Sequence, residues 1–70
     1  IMTNLKEGNT VVMVIGEGTY TDEGQFIVLT GVTDDGKIEI VDPGSEEKSK
    51  QTYDLDLFLN EGTQQWIISN

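Results

Sequence analysis

Seventy residues make one small domain or part of a larger one, and a single core of that size supplies only about 3–5 kcal/mol. The chain has no cysteine, which excludes disulfides and thiolate ligands, and no histidine, which removes zinc, haem and imidazole acid–base chemistry. Thirteen acidic residues against four lysines give a net charge of −9, which repels nucleic acid and anionic membrane surfaces alike.

No apolar run approaches the roughly 18 residues of a membrane span, and no signal peptide opens the chain. Ile1-Met2-Thr3-Asn4 reads as a start from the middle of a longer protein, which makes a fragment the expectation. Leu5-Lys6-Glu7-Gly8 reads as the last turn of a helix, closed by a glycine that can adopt positive φ. Val11 to Ile15 is apolar on both faces, so it is expected as a central strand. Gly16 to Gly24 is polar and holds three glycines, the pattern of a surface loop.

Phe26 to Val32 is the second strand. Asp34-Asp35-Gly36 predicts a tight primed turn, and Lys37 to Val41 returns with Ile38 and Ile40 on one face. Asp42-Pro43-Gly44 ends that strand, because proline cannot donate to a ladder. Ser45 to Gln51 lacks apolar anchors and reads as a solvated loop. A short helix capped by Thr52 or Asp54 runs through Glu61, with Leu55, Phe58 and Leu59 on one face and Gly62 as its stop. Gln65-Trp66-Ile67-Ile68 is a last strand. This order predicts one α+β unit over residues 1–70 with a mainly antiparallel sheet.

Several motifs invite chemistry and do not sustain it. Gly16-Glu17-Gly18 lacks the third glycine of a dinucleotide fingerprint and leads into a strand, so a loop explains it. Asp34 and Asp35 lack the alternating carboxylates and flanking helices of a calcium loop. Asp54, Asp56 and Glu61 crowd the short helix, and the helix dipole accounts for the first two. Trp66 beside two isoleucines reads as a core or sheet-face anchor. Tyr20 and Tyr53, flanked by polar residues, receive no role. No metal site and no cofactor are expected.

One set of elements carries a family resemblance. Leu5-Lys6-Glu7-Gly8 precedes an apolar strand and a Gly-rich loop, followed by Gly24-x-Phe26-Ile27-Val28-Leu29-Thr30-Gly31. Asp35-Gly36-Lys37-Ile38, Asp42-Pro43 and Tyr53-Asp54-Leu55-Asp56-Leu57-Phe58 complete the series. In order and spacing, residues 5–68 resemble the C-terminal, β-rich half of papain-like cysteine peptidases of the bacteriocin-processing type, family 39 of the cysteine peptidases. The resemblance implies that this half supplies a histidine and an orienting aspartate, while a helical N-terminal half supplies the nucleophilic cysteine. By position the histidine slot is Gln25 and the orienting slot is Asp42.

Gln25 is the departure from the family pattern. An imidazole can take a thiol proton and stabilise the thiolate as its cation, whereas a carboxamide does not titrate near neutrality. The chain is therefore expected to be inert as an enzyme, although its parent family cleaves peptide bonds. Gln25 could hold a peptide or preserve the old geometry, or be a strand-edge amide satisfied by water or backbone. Asp42 could brace the turn at Pro43. Three functions stay open: a degenerate peptidase-like binding domain, half of a silenced enzyme, or an unrelated acidic α+β interaction module. The expected partners are a missing helical half, a second copy of the chain, or a peptide. An extracellular or cell-envelope location is implied by the resemblance alone.

Overall fold

A computed structural model describes residues 1–69 of the chain. Helix α1 (Met2–Lys6) ends as its sequence predicts, with Gly8 at φ +87° and its N–H donating to the Leu5 carbonyl at 3.1 Å. Strands β1 (Thr10–Ile15), β2 (Gln25–Val32) and β3 (Ile38–Val41) follow. A single turn, α2 (Glu46–Ser49), and a two-residue strand, β4 (Thr52–Tyr53), precede α3 (Leu55–Glu61), which runs directly into β5 (Gly62–Ile68). The protein is α+β: one five-stranded antiparallel sheet in the order β4-β3-β2-β1-β5, with short helices.

Strand alternation decides where the core lies. Val11, Met13 and Ile15 of β1, Ile27 and Leu29 of β2, and Ile38 and Ile40 of β3 project from one face and are buried. Leu5 of α1, Tyr20 of the loop between β1 and β2, and Phe58 of α3 complete that cluster, so the helices and this loop cover the face. The other face is apolar as well, and nothing among the described residues covers it. The register sets Val41, Val28, Val12 and Trp66 side by side across four strands. Phe26 is 59 % exposed and Trp66 46 %, and their rings lie 6.2 Å apart. β1 is interior to the sheet, flanked by β2 and β5, but β2 is the middle strand. The second face of β1 is not covered as expected: Val12 and Val14 remain half-buried. Trp66 anchors the open sheet face rather than the core.

Three local expectations are corrected. The Asp34-Asp35-Gly36 turn is not a primed one, because only Gly36 (φ +85°) has positive φ and a primed turn of type I′ needs two such residues. Instead the Gly36 N–H donates to the Thr33 carbonyl at 3.0 Å and the Thr33 N–H to the Lys37 carbonyl at 2.8 Å. That is a turn over Thr33–Gly36 with glycine at the left-handed position, which bulges the return strand. Ser45 to Gln51 is solvated but not structureless. Ser45 caps α2, its Oγ accepting the Lys48 N–H at 3.1 Å, and α2 buries no residue. In α3, Phe58 is buried while Leu59 is 61 % exposed, because two turns of helix bring only one residue fully over the sheet.

Glycine is required at the α3–β5 junction by close approach rather than by φ. A Cβ on Gly62 would stand 2.6 Å from the Phe58 carbonyl oxygen and 2.7 Å from the Met13 sulfur. The missing side chain lets the helix pass into the strand without a loop.

Candidate functional site

Gln25 opens β2 and Asp42 follows β3. Val28 pairs with Val41, so alternation puts Gln25 and Asp42 on the core face, diagonal to each other at one end of the ladder. The Gln25 Nε2 donates to Asp42 Oδ2 at 2.9 Å. The two positions that the family resemblance singles out are thus in contact.

Asp42 is only 4 % exposed and its carboxylate is fully engaged. Oδ2 also accepts the Tyr20 hydroxyl at 2.5 Å, and Oδ1 accepts the Gly44 N–H at 2.7 Å. The backbone of Asp42 is held too, its N–H donating to Ser49 Oγ at 2.7 Å. Ser49 in turn donates to the Ser45 carbonyl at 2.9 Å, tying α2 to the end of β3. Burial on its own would raise the Asp42 pKa. Hydrogen bonds from Tyr20, Gly44 and Gln25, with the charge of Lys48, outweigh it and hold the carboxyl below its ordinary value.

Tyr20 comes from the Gly-rich loop between β1 and β2 and is 7 % exposed. Burial first, then the hydrogen bond and charge of Asp42, push its hydroxyl far above its ordinary pKa. Lys48 packs against it, with Nζ 4.4 Å from the ring centre and donating to the Tyr20 carbonyl at 2.7 Å. Tyr53 meets Tyr20 edge-on at 5.5 Å and Phe58 at 6.1 Å, while its hydroxyl donates to the Lys48 carbonyl at 2.9 Å. The loop is pinned from the far side by Glu61, which accepts from Thr19 Oγ1 at 2.6 Å and from the Tyr20 N–H at 3.2 Å. These hydrogen bonds, that of Thr19 foremost, lower the Glu61 pKa.

Chemically this arrangement is a neutral phenol and a neutral amide donating to an ionised carboxylate. No member can take a proton near neutral pH and none is a nucleophile. Two shallow grooves flank the core, one lined by Thr19, Tyr20, Lys48, Gln51, Tyr53 and Leu57, the other by Ile1, Leu59 and the start of β5. Neither is lined by Gln25 or Asp42.

Tyr20, Lys48 and Ser49 belong to this cluster, although the sequence reading gave none of them a role. Ser45-Glu46-Glu47 carried a usable signal, since serine followed by acidic residues is a helix start. Tyr20 offered little, being one aromatic in a polar loop without periodicity. Asp54 caps α3 by position without a side-chain cap bond. Its carboxylate instead pairs with Lys37 across the β3–β4 edge.

Three comparisons with known proteins give no match: no family model fits the chain, and neither a curated protein nor a solved structure matches it.

Proposed function

We propose that the chain is a non-catalytic binding domain built on the β-rich half of a papain-like, bacteriocin-processing-type cysteine peptidase, with Gln25 in the histidine position and Asp42 in the orienting position. The supporting observation is the 2.9 Å contact between Gln25 and Asp42, at the adjacent strand ends that such a pair requires. A carboxamide retains the hydrogen bond of an imidazole to the aspartate and loses its basicity. The pair therefore keeps the geometry of a catalytic dyad without its chemistry. Its remaining role is recognition, with a peptide as the ligand that the ancestry implies.

A second reading has its own support. Asp42 also holds Tyr20, Gly44 and α2, and a carboxylate with that many structural partners needs no catalytic past. On this reading the chain is a small acidic interaction module without peptidase ancestry.

Gln25→His separates the two. If position 25 is a true partner of Asp42, the new imidazole bonds to the carboxylate and titrates clearly above its ordinary value of about 6.5. If Asp42 is only a brace, the introduced ring turns to solvent and titrates at about 6.5, which overturns the dyad reading. The two-dimensional NMR signals of the ring report either result directly. Peptide hydrolysis by the unaltered chain would overturn both readings.

A further inference from the structure

We infer that the outer edge of β5 is a self-association surface, on which a second copy of this chain pairs antiparallel to form a continuous ten-stranded sheet.

β5 is an edge strand seven residues long, and among the described residues nothing pairs with its outer side. Such an edge presents a row of unpaired N–H and C=O groups, and monomeric proteins blunt it with proline, lysine, an inward charge, a bulge or a covering helix. Here the one irregularity, at Thr63, lies at the start of the strand and leaves Gln64 to Ile68 regular. Gly62-Thr63-Gln64-Gln65-Trp66-Ile67-Ile68 contains no proline and no ionisable side chain, and Thr63 to Ile68 are all exposed. The strand is apolar on both sides, with Trp66 and Ile68 toward the open face and Ile67 toward the helical layer. Their exposures of 46, 50 and 41 % leave apolar surface that pairing would cover.

Charge selects the occupant. A chain of net charge −9 should repel its own copy, but the repulsion is not spread evenly. β2, β1 and β5, three neighbours in the sheet, contain no charged residue at all. Glu39 on β3 is three strand spacings from β5, roughly 14 Å, which exceeds the screening length at physiological salt. Glu61 precedes the strand, and antiparallel pairing carries the two copies of it to opposite ends, roughly 25 Å apart. An uncharged edge, regular from Gln64 to Ile68 and bulged only at Thr63, thus meets its own copy without a charge penalty. The opposite edge, β4, has only two residues, and its neighbourhood carries the Lys37–Asp54 pair. With one usable edge per copy, the association is isologous and stops at two.

Overlap of the two β5 strands about Gln65 puts that residue on the two-fold axis and Trp66 across from the partner copy's Gln64. The cysteine-free chain makes this register directly testable. Cα atoms facing each other across an antiparallel pair lie about 4.5–5.5 Å apart, within disulfide range. Gln65→Cys should therefore oxidise readily to a covalent dimer, while Asp34→Cys at the exposed hairpin tip should not.

Sedimentation of the full chain at roughly 100 µM, where a micromolar association is saturated, should give twice the 7.7 kDa monomer mass. Gln64→Lys combined with Gln65→Lys should weaken the dimer at least about tenfold, even though it lowers the net negative charge. Phe26→Lys, on the open face away from the edge, should leave it largely intact. A monomer at every concentration would overturn the inference. So would a dimer dissolved by Phe26→Lys but not by the paired lysines, since that locates the contact on the sheet face. Equal cross-linking of the two cysteine variants would contradict the register and the edge together. Both lysine positions are exposed, and an unchanged far-ultraviolet spectrum confirms that a lost dimer is not a lost fold.

Discussion

The two flanks of this sheet solve opposite problems. Around Asp42, where β2 begins and β3 ends, no buried side-chain nitrogen or oxygen among the described residues lacks a partner, and a loop tyrosine, a helical turn and a lysine close over the carboxylate. Along β5, seven residues run without a charge or a proline, and among the described residues no strand neighbours their outer side. The first flank is costly to disturb, because donors left without their acceptor stay buried. The second is cheap to alter, because its side chains already face solvent. Acidity, which dominates the composition, is absent from the three strands nearest the open edge and concentrated in loops, helices and β3. Net charge therefore says little about the surface at which a partner would arrive.

The comparison can be broken by mutation, and the largest effect should come at the carboxylate. Asp42→Ala leaves the Tyr20 hydroxyl, the Gln25 amide and the Gly44 N–H without their common acceptor. It should cost about 3 kcal/mol in urea unfolding, a large share of what a domain this small possesses. A loss below about 1 kcal/mol would mean that the cluster does not hold this flank.

Gly62→Ala should follow, at about 1–3 kcal/mol, because its methyl meets the Phe58 carbonyl before any flexible group can yield. Tyr20→Phe should cost about 1 kcal/mol, since Asp42 keeps two of its three side-chain hydrogen bonds. At the small end, Gln64→Lys with Gln65→Lys should change the unfolding free energy of the monomer by no more than about 0.5 kcal/mol, while acting strongly on association. If the edge lysines unfold the chain, or Asp42→Ala does not weaken it, the contrast between the two flanks is wrong.

Acid should act on the first flank and spare the β5 strand, which has no ionisable side chain. The Asp42 carboxyl has a lower pKa folded than unfolded, where 3.8 is the ordinary value. Its contribution is therefore complete above pH 3.8 and lost as pH falls through the folded value. The exposed Glu61 clamp shifts in the same direction. Thermal unfolding followed from about pH 6 downward should show a plateau and then a decline beginning near about pH 4, and Asp42→Asn should flatten that decline.

Much of the scaffold was legible because periodicity and turn chemistry are local. Ile38 and Ile40 alternate as a half-buried strand must, Gly8 closes its helix, and Gly62 stops another. The site was legible only in part. Gln25 and Asp42 were singled out through a family resemblance, and their contact follows from a strand register that residue types alone do not specify. Tyr20 was missed because what buries it, Asp42 on one side and Tyr53 on another, lies 22 and 33 positions away. Leu59 was misplaced because helical spacing predicts a face and cannot say how far the sheet beneath extends.

The account rests on Asp42 being an ionised carboxylate that Gln25 helps to hold. Carbon-detected NMR titration of the Asp42 side chain, in the unaltered chain and in Gln25→Ala, tests this most directly. The expected result is a midpoint below 3.8 in the unaltered chain and an upward shift once the amide is removed. A midpoint at or above 3.8 that does not respond to Gln25→Ala would contradict the account.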